Sequence, residues 1–169
     1  GNKPAVSAAS SGSSQQLNSE QILSRLRTFA DQYRSEIASA CDRIKATRTD
    51  PSLRRKAHQY KLDASTAIYD IAAEPDPRQA VLDALVQWYA AEANAVADFP
   101  EDHQLVRDAT RIVKESAWSL AAQVIDEQRR AELLKIIDRW WADNAGTSEV
   151  WYVRITDFAG YGKGTPFEG

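Results

Sequence analysis

The spacing of the apolar residues from Asn18 onward constrains this chain more than any other feature. Ile22, Leu26, Phe29, Tyr33, Ile37, Cys41 and Ile44 recur at steps of three and four. At 3.6 residues per turn these positions share one stripe of a helix, whereas in a strand they would scatter over both faces. Asn18 with Gln21 has the form of a capping box. The spacing predicts a first helix to about Ala46, roughly 40 Å long at 1.5 Å per residue.

The next boundaries are marked by the sequence itself. "TDP" at 49–51 and "PDP" at 75–77 each put Asp at an N-cap and Pro at the first helical position. A second helix is expected over about 50–73, with Leu53, Ala57, Tyr60, Ala64, Ile68 and Ile71 on its stripe, and a third over about 76–98. Pro100 is expected to open a fourth, with Leu105, Ala109, Ile112, Val113, Leu120 and Val124 facing the core. A fifth, over about 127–144, carries Leu133, Leu134, Ile136, Ile137, Trp140 and Trp141. Long helices with short connections predict an all-α fold: an up-down antiparallel four-helix bundle with an additional fifth helix.

The flanks differ in character. Residues 1–17 are rich in Ser, Ala and Gly, a composition that buries too little surface to offset the entropy of ordering, so they are expected to be a disordered tether. The bundle domain is expected over 18–145. In 146–169, "EVWYVRITDF" alternates and is β-branched and aromatic, so a short extended segment is expected to pack on the bundle, followed by loop. Gly1 in place of an initiator Met reads as a tag-cleavage remnant on a chain cut from something longer.

Composition narrows the functional classes. The net charge is −3 and the hydrophobic fraction 43%, an ordinary soluble balance that argues against nucleic acid as a partner. Cys41 is the sole cysteine, so neither an internal disulfide nor a cysteine metal cage is available. No stretch approaches the 18 or so apolar residues of a membrane span; membrane association is expected only through a tether outside this chain.

The basic run "RRK" at 54–56 is not a patch in space. At 100° per residue Arg54, His58 and Lys61 fall within roughly 60° of each other beside the apolar stripe, while Lys56 lies nearly opposite Arg54. These three residues, with Trp88, are read as a cluster of structural ion pairs or the border of a small-anion pocket.

The pattern Asp50-Pro51, Arg54-Arg55, Ala57, Lys61, then Asp76-Pro77 and Ala80-Val81-Leu82-Asp83 resembles a family of uncharacterised bacterial exported or membrane-tethered helical proteins. The resemblance covers about residues 20–158. It departs after the last tryptophan helix, where such proteins are expected to show His-Pro and this chain has Asp143-Asn144-Ala145. It implies a periplasmic or cell-envelope location, and it carries no catalytic assignment to transfer to this chain.

The residue types of familiar chemistry are not arranged to perform it. Di-iron bundle sites need Glu-x-x-His pairs, and neither His58 nor His103 has Glu three residues before it. His103 is expected to serve in helix capping. "GYGKGT" at 160–165 lacks the spacing and following helix of a phosphate loop. Cys41 sits on a core stripe as a small hydrophobe rather than a nucleophile. No catalytic residue, metal ligand or cofactor is assigned.

Surplus apolar surface is more informative. The third helix has one stripe through Ala84, Leu85, Trp88, Ala95 and Phe99 and a second through Leu82, Val86, Tyr89 and Ala93. Trp118 is expected nearly opposite the fourth helix's stripe. Either the fifth helix and the "VWYVRI" segment cover these faces, or they form a contact surface of Tyr89, Trp118, Trp140, Trp141 and Trp151. The leading expectation is a non-catalytic exported bundle that mediates protein contacts, with another protein or a second copy, or senses in the cell envelope. A small-anion or small-ligand-binding bundle and an intracellular helical adaptor are the alternatives.

Overall fold

The structure, a computed structural model, describes residues 17–72 and 74–144, with backbone alone for 67–72, 140, 141, 143 and 144. Among the described residues the chain is all-helical, and its five helices pack as a bundle: α1 (Ser19–Thr47), α2 (Pro51–Ala72), α3 (Pro77–Asp98), α4 (His103–Val124) and α5 (Glu127–Asn144). Residues 1–16 of the expected tether, the expected extended segment and Trp151 lie outside the described residues, as do the side chains of Ile68, Ile71, Trp140 and Trp141, whereas Leu17, expected in the tether, is buried against the core.

Side-chain caps explain most of the helix starts. Asn18 accepts from the Gln21 N–H at 2.8 Å while the Gln21 side chain accepts from the Asn18 N–H at 3.0 Å, the reciprocal box that removes two orphan donors. Asp50 accepts from the Ser52 N–H at 2.9 Å and Asp76 from the Arg78 N–H at 3.1 Å, each just before a proline that begins its helix. Asp126 does the same for α5 through the Arg129 N–H at 2.8 Å.

The fourth helix departs from expectation. It begins at His103, because residues 100–102 form a turn in which the Asp102 and His103 N–H groups both donate to the Phe99 carbonyl. Asp102 precedes the helix without capping it, since its carboxylate is occupied by Arg48 at 2.7 and 2.9 Å. His103 Nδ1 lies 3.2 Å from the Pro100 carbonyl oxygen, within the turn itself.

The expected α4 stripe is also rotated. Its buried residues are Val106, Thr110, Val113, Lys114, Ala117, Leu120 and Ala121, whereas Ile112 is 60% exposed. At 100° per residue this face lies roughly 80° around the helix from the expected one. Two polar residues account for the difference. Thr110 is buried because its hydroxyl donates to the Val106 carbonyl at 2.9 Å, and Lys114 because it pairs with Glu92. Trp118 therefore packs against the core instead of pointing away from it.

The core is continuous. α1 packs mainly on α2 and α4, α4 on α3, and α5 chiefly on α3. Tyr33 of α1 stacks on Trp88 of α3 with centroids 4.7 Å apart, and Phe99 meets Tyr60 of α2 edge-on at 5.4 Å. α3 is buried on nearly all sides; Leu82, Val86 and Ala93 of its second face are covered along with Leu85 and Trp88. A helix apolar all round belongs in an interior, and its run of alanines lets neighbours approach closely.

Candidate functional site

The site grows from one acid in that buried helix. Glu92 sits in "YAAEANA" with its side chain 7% exposed, and α4 presents Lys114, 6% exposed, directly to it. Two charges withdrawn from water persist only when paired. Glu92 Oε1 accepts from Lys114 Nζ, while Arg107 Nε stands 3.7 Å from Glu92 Oε2. Burial lowers the Lys114 pKa below the ordinary ammonium value despite the attraction of Glu92.

One helical turn earlier on α3, Tyr89 joins the group. The Lys114 ammonium lies 4.8 Å from its ring centroid, a cation–π contact. The Trp118 indole N–H donates to the Tyr89 hydroxyl at 3.1 Å. Burial raises the Tyr89 pKa, and the hydroxyl that accepts from Trp118 keeps a proton of its own to donate.

Two adjoining clefts open on this assembly, sharing Tyr89, Glu92 and Arg107 as a wall. The first, about 320 Å³, is completed by Trp118 of α4 and by Leu134, Ile137 and Asp138 of α5. The second, about 340 Å³, runs along α4 past Gln104, Arg111 and Lys114. Leu134 is 47% exposed at the first cleft, an apolar side chain left at an open rim.

Of the residues singled out in the sequence, Tyr89 and Trp118 are brought together in this cleft. Arg54 and His58 are exposed on α2, Lys61 is held by Asp42 of α1 at 3.1 Å, and Trp88 is 1% exposed in the core against Tyr33. None of these four lines either cleft. Glu92, Arg107, Lys114 and Asp138 escaped the sequence reading. Only the isolation of Glu92 among alanines, and of Lys114 beside "IV", hinted at buried charge.

Cys41 is fully buried, and burial pushes its thiol up to about 12, which leaves no thiolate for nucleophilic work. Among the described residues no group of three His, Cys, Asp or Glu side chains is placed to hold a metal ion, and no helix is long and apolar enough to cross a membrane. No protein-family model matches the chain, and no match is found among curated proteins or solved structures.

Proposed function

We propose that this chain is a non-catalytic contact domain of the bacterial cell envelope, and that the Tyr89–Trp118 cleft is its contact surface. The observation that carries the reading is the cleft itself. An aromatic pair joined by a 3.1 Å hydrogen bond borders a half-exposed leucine, on a platform made rigid by a buried ion pair. Aromatic and arginine side chains in such settings dominate protein-contact energetics. Groups with amphipathic tips also tolerate exposure until a partner arrives.

The bundle is up-down and antiparallel in this reading, with α5 laid on α3. Two sets of contacts support it. Arg25 reaches Gln123 and Arg48 reaches Asp102, so residue numbers run in opposite senses along α1 and α4. Glu92 meets Lys114, Tyr89 meets Trp118, and Arg78 donates to the Val124 carbonyl, the same opposition between α3 and α4. The envelope location rests on the resemblance to exported helical proteins and on the Ser/Ala-rich composition of residues 1–17.

Two measurements test the reading. Sedimentation of the purified chain over a range of concentrations is expected to show self-association that Trp118→Ala weakens while helix content stays constant. Fractionation of cells expressing the native gene is expected to recover the protein with the membrane or periplasm. Recovery in the cytosol alone would overturn the envelope assignment and leave a cytosolic adaptor.

A further inference from the structure

Glu92 is shared unequally between its neighbours. One carboxylate faces two cations, and Lys114 takes the close contact. Arg107 is left with its Nε 3.7 Å from Glu92, beyond hydrogen-bond distance. Among the described residues no side chain accepts a hydrogen bond from its terminal amines. The Arg107 side chain is 46% exposed, so this planar fork of donors is reachable from the cleft. Beside it lie Trp118, Leu134 and Ile137, an apolar wall bordered by the Asp138 carboxylate.

A guanidinium fork matches a carboxylate through two parallel N–H···O bonds, and an apolar wall next to it selects what the carboxylate is attached to. Building on the contact-surface reading above, we propose that the cleft binds a monocarboxylate carried on an apolar body. The carboxylate sits on Arg107, and the body lies against Trp118, Leu134 and Ile137. The volume of about 320 Å³ accommodates a phenyl-sized group with its carboxylate. Four acids bear on the choice of ligand: Glu92, which lines both clefts and is already paired with Lys114, and three exposed ones. Asp138, Asp108 and Glu115 are all exposed near the clefts. Their repulsion is screened by water for a single negative charge but grows with each added charge, so phosphates and dicarboxylates are disfavoured. The carboxylate comes either from a free organic acid or from a polypeptide chain end.

The test titrates the full chain with 3-phenylpropionate, N-acetylphenylalanine and N-acetylphenylalaninamide, following ¹H–¹⁵N spectra. The Trp118 indole resonance is identified by its absence from Trp118→Phe. Both acids are expected to move that resonance and the amides around Arg107 and Leu134, with the amide at least about ten-fold weaker. Arg107→Gln is expected to weaken both acids by a similar factor, while Arg55→Gln on α2 leaves them unchanged. N-acetylphenylalanine binding about ten-fold tighter than phenylpropionate assigns a polypeptide end; equal binding assigns a free acid. Equal binding of acid and amide, an unaffected Arg107→Gln, or shifts that map elsewhere or are absent would overturn the proposal. If Trp118-dependent association survives such a failure, the cleft is a contact surface of different chemistry. If it does not, the contact-surface reading fails too.

Discussion

Glu92 and Lys114 show how a pair of charges can lie inside an α-helical core and shape it. Their net contribution to stability is small, because desolvation of both ions offsets most of their attraction. Removing one partner is another matter. Glu92→Ala leaves an ammonium buried without a close counter-ion, and urea unfolding is expected to register a loss of about 3–5 kcal/mol. Glu92→Leu combined with Lys114→Met removes both charges and is expected to recover most of that loss. A double variant no more stable than the single would mean that the pair contributes attraction well beyond its desolvation penalty. Cys41 offers a second residue-scale check. Its folded pKa is about 12 against an ordinary 9.0, so above pH 9 the unfolded chain releases a proton that the folded chain keeps. Stability therefore falls as pH rises from 9 to 12. Tyr33 and Tyr60, also raised by burial, act in the same direction at higher pH, and the lowered Lys114 acts in the opposite one. Comparison with Cys41→Ala isolates the thiol: the wild-type advantage at pH 9 is expected to shrink by roughly 1.5 kcal/mol by pH 10.5.

At the scale of elements, local side chains explain why each helix starts where it does. Asp76→Ala removes the acceptor for the Arg78 N–H at the start of α3, and thermal or urea unfolding is expected to show a loss of about 1 kcal/mol. No change would mean that Pro77 and tertiary packing set this boundary unaided. Helix starts at Ser19, Pro51 and Pro77 were legible in the sequence because capping residues and proline act through the backbone nearest them. The start of α4 was not legible, because the Asp102 carboxylate is drawn away by Arg48, a residue 54 positions distant. The α1 stripe was legible because seven apolar residues define it, and only Phe29 is less than fully buried. The α4 face was not, because apolar spacing has no means of counting Thr110 and Lys114 as interior. Their burial depends on a carbonyl one turn back and on an acid contributed by another helix.

For the whole molecule, the placement of α3 follows from its composition. A helix with apolar residues on two faces needs cover on both, and α4 and α5 supply it together with α1 and α2. Among the described residues Leu62, Ile112 and Leu134 are the large apolar side chains left exposed, and only Leu134 borders a cleft, with Tyr89, Trp118 and Arg107 behind it. Tyr89 and Trp118 were visible in the sequence as aromatic side chains in excess of one stripe. Arg107 was not, since nothing local separates an arginine facing a buried acid from one facing solvent. The proposed contact surface is therefore half legible by pattern and half a product of tertiary structure.

The most direct test of that surface is site-specific photo-crosslinking in the cells that make the protein. The crosslinking residue is placed at Leu134 on the cleft or at Leu62 on α2, which are 47% and 48% exposed. Discrete adducts are expected from position 134, lost on Trp118→Ala, with none from position 62. The same adducts from both positions, or none from 134, would contradict the claim that this cleft is where the molecule makes its contacts.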